Sequence, residues 1–245
     1  MKYILTFFSC LQLFYVSAQE VESNDVDLSK PTNIYTRLNN NLEYTQSEVD
    51  TWGYRVNLNY AVGKFQSTLE APFLYNQKTE KFGLSDIRLR SYYVPYVDYD
   101  KFIGGLGLSM DIFFPTGSME NGLGTERWSL SPGVVVGLIF SETYSLFPNL
   151  SYRYQFDSRD ELSRKDQHGI TLQLVNSIVF STRSYILLTP MILYNEVNNP
   201  EKDDYGMEVE YNYMVKANKL QIGAFTRHLI ASKSQNYRVF LRVIL

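Results

Sequence analysis

The feature that most constrains this chain is a period-two alternation of apolar and polar residues, recurring in runs of about ten. Trp52, Tyr54, Val56, Leu58, Tyr60 and Val62 interleave with Gly53, Arg55, Asn57, Asn59 and Ala61. Tyr205, Met207, Val209, Tyr211, Tyr213 and Val215 interleave with Gly206, Glu208, Glu210, Asn212 and Met214. A third run sets Trp128, Leu130, Pro132, Val134, Val136, Leu138 and Phe140 against Ser129, Ser131, Gly133 and Gly137. Successive side chains of a strand point to opposite faces, so each run is a strand with one apolar and one polar face. About twelve such runs lie near 33–44, 52–62, 65–76, 85–96, 102–114, 128–140, 144–157, 168–180, 184–194, 205–215, 219–231 and 237–245. Their length matches the roughly 9–11 residues a tilted strand needs to cross a bilayer.

The connections sort by parity. Tight ones fall at Gly63-Lys64, Val97 to Lys101, Ser141 to Thr143, Ser181 to Ser184 and Lys216 to Lys219. Longer polar ones fall between them, at Gln46 to Thr51, Gln77 to Leu84, Thr116 to Arg127, Ser158 to Gln167 and Glu196 to Asp204. The last, Ser232 to Asn236, is shorter. A soluble β-sandwich also alternates, but its strands average about 5–6 residues and its loops have no reason to sort by parity. Short turns on one side and long loops on the other are the habit of outer-membrane barrels with an even strand number. The reading is an all-β fold: a transmembrane, antiparallel, up-and-down β-barrel of about twelve strands.

Composition enters here. A mean hydropathy of −0.23 excludes a helical membrane protein, which needs apolar runs of about 20 residues. It is also what two opposed strand faces average to. With 20 Tyr and 15 Phe the chain is rich in the aromatics that line membrane interfaces. Trp52, Tyr75, Trp128, Tyr144, Tyr154, Phe156, Tyr205 and Tyr237 fall at the ends of the outward rows and are expected to form girdles. The formal charge of −3 offers no electrostatic footprint for nucleic acid.

Residues 1–18 read as an export signal peptide: Lys2, then a mostly apolar run, then Val16-Ser17-Ala18. Cleavage there would remove Cys10, the only cysteine, so no disulfide framework is expected. Residues 19–32 are polar and acidic and read as a flexible periplasmic leader, with residues 33–245 forming the barrel. The implied location is a bacterial outer membrane, and the implied partners are its lipids and a small solute.

Gly83-Leu84-Ser85-Asp86-Ile87-Arg88-Leu89-Arg90-Ser91-Tyr92-Tyr93 resembles a signature of one outer-membrane family. Phe114-Pro115-Thr116-Gly117, Gly122-Leu123-Gly124-Thr125 and Trp128-Ser129-Leu130-Ser131-Pro132-Gly133 do so too. The family is the barrel group labelled for the meta-pathway of phenol degradation. The resemblance implies an exported barrel, proposed in the family as a channel for aromatic or other small compounds, with no catalytic residues assigned. Ser85, Glu126 and Leu245 depart from the family pattern.

Alternation also assigns the lumen. The inward rows carry Arg37, Glu43, Arg55, Glu70, Asp86, Arg88, Arg90, Asp111, Arg153, Glu208, Glu210, Arg227, Arg238 and Arg242. Counting outward from the tight turns sets Glu208 opposite Arg227, Arg55 diagonal to Glu70, and Arg88 opposite Met110 beside Asp111. Tyr92, Tyr96, Phe113, Phe147, Phe225 and Phe240 are the inward aromatics. The opposed charges read either as a selective eyelet or as pairs satisfied in a wet interior. About twelve strands lies between the side-chain-filled barrel of eight and the open channel of 16–18. A passive diffusion channel for a small, aromatic or anionic solute is the reading, with a non-conducting structural or adhesive barrel as the alternative.

A lipid-modifying enzyme is the third possibility. His168 and His228 both point outward near the long loops, where a His base could serve a Ser. Neither lies in a compact His-x-Ser-Asn-Gly arrangement. No P-loop, CxxC, HExxH or GxSxG occurs, so no catalysis, cofactor or metal is expected. Gly104-Gly105-Leu106-Gly107 lies in a strand-like run, where missing side chains make room for a bulky lumen neighbour. The acidic stretch Glu201 to Asp204 reads as solvated loop rather than a Ca²⁺ site.

Overall fold

The computed structural model describes residues 27–158, 164–197 and 199–245; the expected signal peptide lies outside them. The strands are β1 (Arg37–Gln46), β2 (Thr51–Val62), β3 (Phe65–Asn76), β4 (Lys81–Leu84), β5 (Ile87–Val97), β6 (Ile103–Phe114) and β7 (Arg127–Ile139). They continue with β8 (Tyr144–Asp157), β9 (Gln167–Ser181), β10 (Ser184–Tyr194), β11 (Asp204–Lys216), β12 (Leu220–Leu229) and β13 (Ser234–Ile244). Each pairs antiparallel with its chain neighbours, except that β3 pairs with β5, and β1 pairs with both β2 and β13. The ring therefore closes with twelve strands, because β2 fills the other edge of β3 and the short β4 continues the line of β5 along β3 toward the long-loop end. Closure leaves no edge to face lipid.

The alternation read from the sequence is the in-and-out order of the wall. Along β1, Asn39, Asn41 and Glu43 are buried inside while Leu42 is 60% exposed outside. The outward aromatics gather at two levels. At the long-loop end Tyr44 lies between Trp52 (ring centroids 4.7 Å apart) and Tyr237 (6.5 Å). The chain of rings Phe114, Trp128, Phe156 and Tyr154 continues that belt. At the tight-turn end Phe65 stacks on Tyr93, and Phe102, Phe140 and Tyr144 meet in sequence. Two aromatic levels separated by aliphatic wall are the interfacial girdles of a membrane-spanning barrel.

Three local features differ from expectation. Residues 81–84 were read as loop; they form β4, held by the ladder from Phe73–Leu84 to Asn76–Lys81. The expected register Arg88–Met110 is three residues off, because Arg88 faces Phe113 and Arg90 faces Asp111. Pairing across that turn begins only at Val97–Gly105, and a bulge between Tyr93 and Tyr96 takes back one residue. Pro95 inside the bulge has no N–H to give the ladder. The same bulge turns Tyr96 outward opposite Leu106, 36% exposed, so it is not an inward aromatic.

The third difference concerns the expected leader, of which residues 19–26 lie outside the described residues. In its remainder, 27–32, Leu28, Ser29 and Thr32 are buried, Thr32 to 1% exposure. They lie inside the barrel at its tight-turn end, and Leu28 packs on the inward Tyr185 and Met214.

Candidate functional site: the barrel lumen

Inside the ring, most of the expected charges meet one another. Arg55 donates to Glu43 at 2.8 Å and also to Glu70, bridging β1, β2 and β3. Arg90 Nε donates to Asp111 Oδ1 at 2.8 Å, and Arg88 binds the same carboxylate from the next inward position. Arg227 Nε donates to Glu208 at 2.6 Å across the β11–β12 pair. Arg242 lies 3.4 Å from Glu210 and donates to Asn39 and Gln221. Arg238 approaches Glu43 Oε2 at 3.5 Å. Arg37 donates to the Tyr35 hydroxyl at 2.6 Å.

The inward aromatics serve as platforms for these guanidinium groups. Arg88 sits 4.9 Å from the Phe113 ring centroid, Arg242 4.8 Å from Phe240, and Arg37 4.9 Å from Tyr35. Phe225 carries two, Arg238 at 4.6 Å and Arg227 at 5.9 Å. Arg90 lies 5.9 Å from Tyr92. A cation over a ring face gains roughly 0.5–2 kcal/mol, and the ring fixes the direction of a long flexible side chain.

The charges occupy one side of the lumen. Below the rim, where the first residue of β11, Asp204, is taken up by backbone donors, seven arginines (37, 55, 88, 90, 227, 238, 242) face five carboxylates (43, 70, 111, 208, 210) from β11 through β13, β1, β2, β3 and β5 to β6. Seven minus five leaves a surplus of two positive charges. The facing wall, β7 to β10, presents Ser129, Ser131, Asn149, Ser151, Thr171, Gln173, Ser177 and Thr189 below its loop-end residues. Ionic and neutral hydrogen-bonding surfaces thus confront each other across the bore.

Two expected lining residues do other work. Asp86 lies just before β5 and accepts from Gly117 N (3.0 Å), Thr125 N (2.9 Å) and Thr125 Oγ1 (2.9 Å). It clasps the loop 115–126 to the rim instead of joining the charged belt. That loop leaves no space at its glycines: a Cβ at Gly117 would meet Leu123 O at 2.5 Å, and one at Gly124 would meet Asp86 Oδ1 at 2.6 Å. Arg153 points inward but donates to Asn195 O (3.0 Å) and Oδ1 (2.9 Å), fastening the 195–203 loop. Sequence reasoning missed a rim pair, Arg127 with Asp157 at 3.4 Å, to which Arg164 adds a bond of 2.8 Å. Inward parity and the facing positions Arg127 and Asp157 were the available signal.

The tight-turn end is packed. Phe147 is fully buried, and Val94 and Val135 join it where Gly107 and Gly137 leave room. The segment from Asp27 fills the other side, with Thr32 Oγ1 3.0 Å from Tyr99 OH and Tyr35 N donating to Gln66 Oε1 at 3.2 Å. A Cβ at Gly105 would come within 2.8 Å of Thr32 Oγ1, so glycine there makes the space the segment uses. Lys30 lies 5.0 Å from the Tyr99 ring centroid and pairs with Asp27. Burial pushes the Tyr99 phenol up to about 12, against the opposing hydrogen bond from Thr32.

The outward histidines sit in the girdle. His168 Nδ1 bonds the Tyr152 hydroxyl and its ring lies 5.1 Å from that of Tyr154, while His228 stands opposite Met207. Among the described residues no group of three His, Cys, Asp or Glu could hold a metal ion. In the stretch Glu201 to Asp204, Asp204 instead accepts from the backbone of Tyr205, Ala231 and Ser232.

Comparison with known proteins places this geometry in context. The family model described as “Putative MetA-pathway of phenol degradation” matches residues 19–185. A search of curated proteins finds no match. Among solved structures, the “COG4313 outer membrane channel from Pseudomonas putida F1” aligns with a TM-score of 0.65 at 12% identity, over 92% of this chain and 100% of that one. A NanC porin aligns with a TM-score of 0.62 at 10% identity, over 85% and 100%. A “KdgM porin in complex with disordered oligogalacturonate” gives 0.57 at 12%, over 84% and 99%. At such identities the likeness is one of fold.

Proposed function

The chain belongs to the barrel family of the MetA-pathway of phenol degradation, and from that premise we propose that it is an outer-membrane channel for passive diffusion of a small polar or anionic solute. The observation that carries this reading is the two-sided lumen. A polar bore lined by fixed charges on one wall and neutral hydrogen-bonding groups on the other lowers the cost of moving a hydrated solute through a bilayer. The arginine surplus favours anions. The exported chain would sit with its tight turns and amino-terminal segment toward the periplasm and its long clasped loops outward. No bond-making step is assigned to any residue. Swelling of liposomes carrying the refolded barrel tests this reading: faster entry of small anionic than cationic solutes is expected, and no entry of any solute would overturn it.

A second reading, a plugged barrel, is favoured by the buried segment from Asp27 to Tyr35 and by Phe147 at the tight-turn end. In the channel reading these residues narrow the periplasmic mouth; in the plugged one they close it. Removal of residues 27–34 separates the two, because only a plugged barrel is silent until the segment is gone.

A further inference from the structure

Arg238 differs from the other belt arginines. Arg55 lies between two carboxylates, Arg227 is hydrogen-bonded to Glu208, and Arg88 and Arg90 share Asp111. Arg238 has only the 3.5 Å approach to Glu43 Oε2, the oxygen that Arg55 does not engage, and both that oxygen and the Arg238 Nε are buried without a hydrogen-bond partner. Its guanidinium carbon lies 4.6 Å from the centroid of the Phe225 ring, which Arg227 also faces at 5.9 Å. Arg227 is 43% exposed at its side chain, and Arg55 acts on Arg238 electrostatically from the opposite side. Arg55 and Arg227, with Glu43 and Glu70, thus set the field at an aromatic platform where Arg238 itself has no close ion pair.

We propose that Arg238 and Arg227, on Phe225, form an anion-binding subsite that takes the carboxylate of a small organic acid in transit. The inference deepens the channel reading and rests on it for the words “in transit”; the binding itself does not. A guanidinium fork with unmet donors matches a carboxylate bidentately, and an ion pair in a confined bore is less screened than one on an open surface. The neutral hydroxyls and amides of β7 to β10 lie across the lumen for the uncharged remainder of the solute. The site differs from Arg88 and Arg90, which the sequence pattern marks equally but which Asp111 occupies.

Saturation-transfer NMR on the detergent-refolded barrel tests the proposal with benzoate as probe and benzyl alcohol as its uncharged counterpart. Saturable benzoate binding is expected, with no competition from benzyl alcohol. Arg238→Gln should weaken it tenfold or more, Arg238→Lys should retain part of it, and Arg183→Gln, in an exposed turn outside the belt, should leave it within about twofold. Heat-modifiable migration on gels verifies that each variant is folded. If Arg238→Gln fails to refold, Arg238→Lys alone decides: undiminished affinity there overturns bidentate recognition. Absence of saturable binding, an unchanged affinity in Arg238→Gln, or equal competition by the alcohol overturns the subsite. A barrel that binds benzoate but passes no solute contradicts the channel and leaves the subsite standing; one that conducts without binding does the reverse.

Discussion

Thr32 and Tyr99 join the amino-terminal segment to the β5–β6 turn through hydroxyls 3.0 Å apart, with Thr32 seated in the space that Gly105 leaves. A side chain at 105 must displace that segment. Gly105→Val should therefore leave the barrel folded, since β-branched residues suit strands, yet free the segment. Chymotrypsin would then cut after Leu28 or Tyr35 in the folded variant and not in the parent. Equal resistance of both proteins would show that the segment tolerates the intrusion.

The same contact carries a pH dependence. The Tyr99 phenol, pushed up to about 12 by burial, has a folded value above its unfolded one of about 10. Its contribution to holding the segment is therefore complete below about pH 10 and lost as pH rises through about 12. The difference in absorbance at 295 nm between parent and Tyr99→Phe should show one phenol ionising near pH 12. A missing phenol that ionises near pH 10 would mean that Tyr99 is not buried.

Asp86 holds the 115–126 loop with three accepted hydrogen bonds. Removing them in Asp86→Ala should cost roughly 3 kcal/mol, allowing for partial exposure of the clasp. The urea midpoint in detergent should fall, and protease should cut at Glu120 or Glu126. Because Asp86 stands outside the charged belt, the reversal potential should stay where it is. A shifted reversal potential in a stably folded variant would return Asp86 to the lining.

Arg55→Gln addresses the belt itself. It strips the bridging cation from Glu43 and Glu70, whose side chains are 3% and 11% exposed. Breaking a buried pair costs about 3–5 kcal/mol, less here because the lumen is wet. Stability should drop and ion preference should move toward cations; adding Glu43→Gln should restore part of the stability. Unaltered selectivity would place the belt away from the ion path.

The alternation at residues 52–62 and 205–215 gave the strands and their faces, because a wall with lipid on one side and water on the other must repeat with period two. Glu208–Arg227 and Arg55–Glu70 were legible by counting, since their turns are tight and their ladders regular near those pairs. Arg88 and Tyr96 were misplaced because counting fails across a wide turn and a bulge at Pro95, neither of which changes hydrophobicity. Asp86 looked like a lumen residue by parity, yet the strand starts one residue later and its carboxylate serves backbone donors far along the chain. Leu28 and Thr32 had no periodic neighbours to reveal their burial, and only the lumen glycines hinted at an occupant.

Single-channel recording across a planar bilayer with asymmetric KCl tests the central claim most directly. The mature barrel should give discrete steps with a reversal potential on the anion-selective side, and removal of residues 27–34 should enlarge the steps. Silence from both the mature and the shortened barrel, each verified as folded, would contradict a channel.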